Sequence, residues 1–173
     1  MSDKPPGASP TPEEALLAKI IEILDENRVM CIATSRQDGW PQATLVNYLH
    51  DRLRIYFVVG RTSQKFINIQ RDPRVSIALG HDRQGGAARG LSMSAYASEV
   101  TAVHEIERLN KQIWDRSRPE VFEPHPSSNA VAVMQATPEI VTVVDYAPPH
   151  GRVDVARVVE DWRVEFYHPE AGH

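Results

Sequence analysis

The stretch CIATSRQDGWPQATLVNYLHDRLRIYFVVGRTSQKFINIQRDPRVSIAL, running from Cys31 to Leu79, decides the fold. Its periodicity reads as a strand over 31–35, an Asp38-Gly39 turn, and a second strand over 42–49. The His50-Asp51-Arg52 turn leads to a third strand over 53–59, and a short helix ends near Gln70 before Asp72-Pro73-Arg74 and a buried strand over 75–79. Asp38-Gly39 is a two-residue hairpin signal. In the second strand Ala43, Leu45, Asn47 and Leu49 share one face and Thr44, Val46 and Tyr48 the other. Thr62 or Ser63 caps the helix, with Phe66 and Ile69 inward. Arg61, Thr62, Ser63 and Lys65 therefore stand where a strand hands over to a helix. The first helical turn has unpaired N–H groups and the positive end of the macrodipole, so it favours an anion. Hydroxyls and a flexible ammonium on that turn can complete a phosphate site. A solvated loop explains Arg61 alone, but explains the whole cluster less well.

Outward from this stretch, residues 1–10 carry Pro5, Pro6, Gly7 and Pro10 and read as a flexible tail; residues 11–173 read as one domain. Thr11, Pro12 and Glu14 form a capping box with proline at the first helical position, and Leu17, Ile20, Ile21 and Leu24 make a buried stripe. Residues 81–90, with Gly85, Gly86 and Gly90, read as a flexible loop whose glycine spacing does not fit a dinucleotide fingerprint. A long strand over 91–103, a helix over 104–115, and an irregular crossing over 118–128 follow. Two further strands, 130–135 and 139–145, flank a Thr137-Pro138 turn. The expected fold is mainly β, an antiparallel barrel with flanking helices.

Composition bounds the function. At 173 residues, 42% hydrophobic and 24% charged, the chain has the make-up of a soluble globular domain. A net charge of −4 gives no basic field for nucleic acid. No apolar run approaches a membrane span, and the start lacks a signal-like hydrophobic segment, so a cytoplasmic location is expected. The single cysteine, Cys31, excludes an intrachain disulfide and lies in the apolar run Val29-Met30-Cys31-Ile32-Ala33, as a buried hydrophobe would. No metal site is visible, since His104-Glu105-Ile106-Glu107-Arg108 lacks the second histidine of a zinc-protease helix. No Gly-x-Ser-x-Gly elbow is present.

The ordered motifs Ala33-Thr34-Ser35, Asp38-Gly39-Trp40-Pro41, Ala43-Thr44-Leu45-Val46, Leu53-Arg54-Ile55-Tyr56-Phe57, Ser63-Gln64-Lys65 and Asp72-Pro73-Arg74-Val75-Ser76 resemble the flavin-binding split barrel of the pyridoxamine 5′-phosphate oxidase-like family. The resemblance covers roughly residues 14–103. It implies an antiparallel Greek-key split barrel and a homodimer with FMN in a groove between the subunits. Carried over, Thr44, Leu45, Val46 and Asn47 match the strand along the flavin ring, and Phe57, Val58 and Val59 the strand beside ring and ribityl chain. Ser63, Gln64 and Lys65 match the phosphate segment. Gln64 stands where an arginine is common, and Arg61, in the same turn, is a substitute partner. True oxidases of the family carry an Arg-x-His motif and a tryptophan-led ending. Here Arg152 can fill the arginine position, but Asp154 stands where histidine is expected and Trp162 follows. Thr44 also replaces an arginine those oxidases use. Pyridoxamine 5′-phosphate is thus not the expected substrate, because an acidic residue repels its phosphate.

A flavin carries its own chemistry and needs anchoring, a polar edge and a stacking surface from the protein. Asn47 is a candidate for a ring carbonyl, or a solvent-facing edge residue. Trp40, Trp114 and Trp162 are candidate walls, or ordinary packing. Three readings follow: an FMN-dependent oxidoreductase acting on a small molecule; a non-catalytic flavin-binding or stress-response protein; and the same fold holding the deazaflavin cofactor F420 or haem. Haem would require an axial ligand, for which His50, His81 and His150 are candidates.

Overall fold

The computed structural model describes residues 9–83, 87–116, 130–146 and 151–168. Its first element, α1 (Pro12–Glu26), starts at the predicted capping box: Glu14 N donates to Thr11 Oγ1 at 3.2 Å and Thr11 N to Glu14 Oε2 at 2.8 Å. Such a cap is worth about 1 kcal/mol. The helix buries Leu16, Ile20, Ile23 and Leu24, leaving Leu17 and Ile21 half-buried. The stripe is rotated from the expected one, and the rotation turns Lys19, Glu22 and Glu26 toward charged partners on the barrel.

Among the described residues the strands are β1 (Val29–Ser35), β2 (Pro41–Asp51), β3 (Arg54–Gly60), β4 (Arg74–Arg83), β5 (Ala87–Glu99), β6 (Val131–Asp145), β7 (Arg152–Val158) and β8 (Val164–Phe166). Helix α2 (Gln64–Arg71) connects β3 to β4, and α3 (Val103–Arg116) follows β5. All pairings are antiparallel, in the order β3-β2-β1-β4-β5-β6-β7-β8, and a β3–β6 pairing closes the first six strands into a barrel. The order 3-2-1-4 is a Greek key, with α2 in the long connection. One core fills the barrel, from Met30 and Ile32 through Phe57, Ile77, Met93 and Met134 to Val143, with α1 covering one end. A second cluster of Leu49, Tyr56, Val100, Leu109 and Val133 lies under α3, outside the barrel wall.

Four local expectations are corrected. The β1–β2 connection is a wider loop than a two-residue turn: Gly39 N donates to Arg36 O at 3.0 Å, and Gly39 follows at φ 85°, a bulge conformation that glycine adopts without penalty. The Asp38 carboxylate steadies that loop by accepting from Trp40 N and the Arg36 guanidinium. Residues 81–90 are largely the paired arms of the β4–β5 hairpin. Gly80 faces Gly90 there, and a Cβ on Gly80 would sit 2.6 Å from the Arg89 carbonyl oxygen. Those glycines serve close backbone approach; Gly85 and Gly86 lie outside the described residues.

The long strand ends at Glu99, not 103, because Val100 leaves it to pack beneath α3. Residues 131–145 form one strand instead of two around Thr137-Pro138. Pro138 has no N–H to give, and it lies where β6 leaves β3 (131–136) and takes up β7 (140–145), with a bulge opposite Ser94 and Ala95. Residues 1–8 of the expected tail over 1–10, and the whole crossing over 118–128, lie outside the described residues.

Candidate cofactor site

The barrel is split beside β2. Its pairing with β3 covers only Tyr48 to Asp51 against Phe57 to Arg54, while β3 pairs along its other edge with β6 over 55–60. Tyr48 N donates to Arg28 O on the β1 side. Backbone groups alternate sides along an antiparallel strand, so those of Asn47 and Leu45 face away from β1. Among the described residues no strand pairs with that edge. The N–H and C=O of Leu45 and the N–H of Asn47 are thus presented along an open slot, the arrangement a planar heterocycle with amide-like edges can use.

At the same end of the barrel, Ser63 caps α2, its Oγ accepting from Phe66 N at 3.3 Å. Lys65 is half-buried, and burial pushes its ammonium below the ordinary lysine value, partly offset by the Cys31 thiol. No carboxylate pairs with Lys65 among the described residues. A desolvated, unpaired ammonium on the first turn of a capped helix suits an anionic group. Thr62 is exposed on the same turn.

Arg61 has a different engagement from the one expected. Its guanidinium forks onto Glu99, at 2.5 Å and 3.3 Å, and lies 5.6 Å from the Phe66 ring centroid. Gln64 turns along its own helix and donates to Asn68 Oδ1 at 2.9 Å. Asn68 is buried and donates to Thr34 Oγ1 at 3.0 Å and to Gln42 Oε1 at 3.1 Å, fastening α2 over the barrel mouth. The next inward position of β2 is Thr44, whose buried hydroxyl has no hydrogen-bond partner among the described residues. Leaving such a group unpaired costs roughly 1–3 kcal/mol, so it is a natural contact for a polar ligand atom.

The remaining sequence candidates divide by what they can offer. Leu45 is 76% exposed and Asn47 is exposed, whereas Val46 points inward and is half-buried. Phe57 and Val59 belong to the barrel core and Val58 packs under α3, so β3 can offer a ligand backbone but little side chain. Trp162 is half-buried beneath the Arg54 guanidinium at 4.9 Å, Trp40 is exposed in its hairpin loop, and the Trp114 side chain lies outside the described residues. Arg152 Nε donates to Asp154 Oδ1 at 2.6 Å, so the residue in place of the expected histidine holds the arginine itself. His50 is engaged at both ring nitrogens, by Arg52 O and Asp25 Oδ1. His150 lies outside the described residues.

Sequence reading missed Glu99, Asn68, Thr34 and Gln42. Glu99 had a signal: it shares the inward phase of β5 with Ala95 and Ala97, where a carboxylate needs a partner. Asn68 lies three residues beyond Lys65, on the same helical face, among apolar neighbours.

The outer face of the sheet carries a second feature. Leu45, Cys31, Ala78, Ser92, Thr142 and Val155 form one cross-strand row over six strands, and none of them is charged. Val29 and Val153, on the same face, are 46% and 50% exposed. Leu45, Ala78 and Ser92 of that row are exposed and Cys31, Thr142 and Val155 half-buried, an uncharged strip that a second surface can cover. A separate open cavity of about 550 Å³ lies at the other end of β5, lined by Leu79, Gly80, His81, Arg89 and Val144 among others. No helix among the described residues is long and apolar enough to cross a membrane.

Comparisons with known proteins agree with this geometry. General stress protein 26 of Bacillus subtilis is 24% identical over 133 residues, 77% of this chain and 91% of that protein. A pyridoxamine 5′-phosphate oxidase-related, FMN-binding protein from Nostoc punctiforme superposes with a TM-score of 0.63 at 12% identity, over 93% of this chain and 99% of that one. HutZ, the haem storage protein of Vibrio cholerae, does so with a TM-score of 0.58 at 20% identity, over 72% and 90%. The likenesses to solved structures establish the split-barrel fold. The sequence profile described as pyridoxamine 5′-phosphate oxidase matches residues 16–145, most of the chain, and the chain therefore belongs to the pyridoxamine 5′-phosphate oxidase family.

Proposed function

We propose that this protein binds FMN at the mouth of the split barrel and works as a flavin-dependent oxidoreductase on a small molecule. The observation that carries the reading is the conjunction of an unpaired, half-buried Lys65 on the capped turn of α2 with the open β2 edge at residues 45 and 47. Lys65 and the N–H groups behind Ser63 hold the phosphate. The backbone of Leu45 and Asn47 meets the polar edge of the ring, and the Thr44 hydroxyl gains the partner it lacks. When bound, the flavin supplies the capacity to accept or donate a hydride or single electrons. The chain's residues orient it and limit access to one face.

The uncharged outer row of the sheet supports a homodimer, with the second subunit covering Leu45 and completing the groove around the flavin. The Nostoc relative's description as FMN-binding favours this cofactor. Haem, suggested by the Vibrio relative, would not find a free ring nitrogen at His50, which leaves His81 as the remaining one of the three axial candidates among the described residues. Binding without turnover, compatible with the stress-protein relative, is the runner-up. A cytoplasmic setting suits any of these.

The test is an absorbance spectrum of the freshly purified protein, repeated after adding FMN, followed by steady-state turnover with a nicotinamide donor. Twin flavin bands co-eluting with the protein support the cofactor, and donor-dependent turnover supports the oxidoreductase. Flavin bands without turnover favour the non-catalytic reading. A colourless protein that ignores FMN ends the flavin account.

A further inference from the structure

We propose that Glu99 is a specificity-determining residue that withholds Arg61 from the phosphate end of the cofactor site. The inference rests on the flavin reading above and goes beyond it, since it assigns a role to a residue outside the matched motifs. Arg61 is two residues ahead of the cap Ser63 and four ahead of Lys65, in the turn from β3 into α2. Left to itself, that guanidinium is within the length of its own side chain of the helix N-terminus, where it would replace the arginine that Gln64 does not provide. The structure pairs it with a carboxylate instead. Glu99 comes from the inward row of β5, on the far side of β6, and takes both terminal nitrogens of Arg61. The Phe66 ring backs the guanidinium, and Arg61 N is itself tied to Ala130 O at 3.0 Å. Both partners are partly shielded, with 34% and 23% of their side chains exposed. Gln64 is drawn onto Asn68 in parallel.

The consequence is a cradle whose net charge is set by a residue that never touches the ligand. With Arg61 neutralised, Lys65 and the helix N-terminus face a phosphate monoester that carries up to two negative charges. The phosphate then contributes modestly, and binding leans on the ring and its backbone contacts. Replacing Glu99 by glutamine keeps the side-chain shape and removes the charge that competes for Arg61.

The experiment compares dissociation constants for FMN and riboflavin, by fluorescence quenching, in the wild type, Glu99→Gln, Arg61→Ala and the double variant. The riboflavin constant serves as the check on folding and on the ring pocket. Glu99→Gln should raise the FMN-over-riboflavin preference by about threefold to tenfold, the worth of one partly exposed charge-assisted contact. Arg61→Ala alone should move that preference less than about twofold, and the double variant should lose the gain made by Glu99→Gln. Two results overturn the assignment: a preference unchanged by Glu99→Gln, or a large loss on Arg61→Ala alone, which would mean that Arg61 already serves the phosphate. If the wild type binds neither flavin, the flavin reading fails and the role of Glu99 fails with it.

Discussion

Arg89 and Glu99 stand at opposite ends of a single inward row of β5, with Leu91, Met93, Ala95 and Ala97 between them. Each end is neutralised by the segment that covers it. Glu22 and Glu26 of α1 grip the Arg89 guanidinium at 2.5 Å each, and Arg61 at the start of the β3–α2 connection grips Glu99. The row thus specifies which element closes which end of the barrel, because either charge facing the apolar interior alone would be costly.

Arg89→Leu follows from this. Only 3% of the Arg89 side chain is exposed, against 58% for Glu22 and 32% for Glu26, so the glutamates can recover water when their partner goes. We expect a loss of about 1–2 kcal/mol, below the full cost of breaking a buried pair, read as a lower urea midpoint at unchanged slope. A midpoint equal to the wild type would show that apolar packing alone holds α1 in place.

Acid should loosen α3. The Arg108 guanidinium, with the Tyr56 hydroxyl in support, holds the Glu105 carboxyl at about 2, against an ordinary 4.5. A carboxylate with a depressed native value contributes stability above its unfolded value and loses it as the pH falls toward the native one. Stability should therefore decline between about pH 4.5 and pH 2. Glu105→Gln should flatten part of that decline while lowering stability at neutral pH. Because the pair is partly exposed, the effect is small, and parallel acid titrations of wild type and variant would refute it.

The strand order around residues 31–79, the capping box and the α2 cap were legible because each rests on local chemistry: a hairpin glycine, a Thr-x-x-Glu spacing, a serine before a helical pattern. What misled was residues whose role is set by distant partners. Gly90 reads as loop in isolation, yet it permits a close crossing with Gly80. Thr137-Pro138 reads as a turn, yet it marks where one continuous strand changes neighbours. Arg61 reads as one cation of a helix-terminus cluster, and nothing local shows that it meets the carboxylate of Glu99, thirty-eight positions away. Periodicity reports which face a side chain takes, but not which charge it meets there.

Leu45→Asp tests the uncharged row. Leu45 is 76% exposed and pairs with Cys31 at the row's edge, beside the proposed flavin edge. If a second subunit covers this face, a carboxylate there should shift sedimentation from dimer to monomer and weaken flavin binding with it, while the isolated barrel keeps its fold. A wild type that sediments as a monomer with flavin bound would remove the dimer from the account.

Lys65→Ala should weaken FMN more than riboflavin, because only FMN bears the phosphate. A loss of about tenfold in the ratio of the two affinities is expected for a charge-assisted contact in a partly shielded site. The pH dependence gives a second, independent reading. Burial lowers the Lys65 ammonium from its ordinary 10.5, so the preference for FMN should be present below the native value and fade as the pH rises through it. On the acid side it should grow through about pH 6, where the phosphate gives up its second proton. Lys65→Ala should erase the alkaline limb and leave the acid limb in place. Equal losses for FMN and riboflavin, with an unchanged pH profile, would mean that Lys65 does not contact the phosphate and that the anchor lies elsewhere on the barrel mouth.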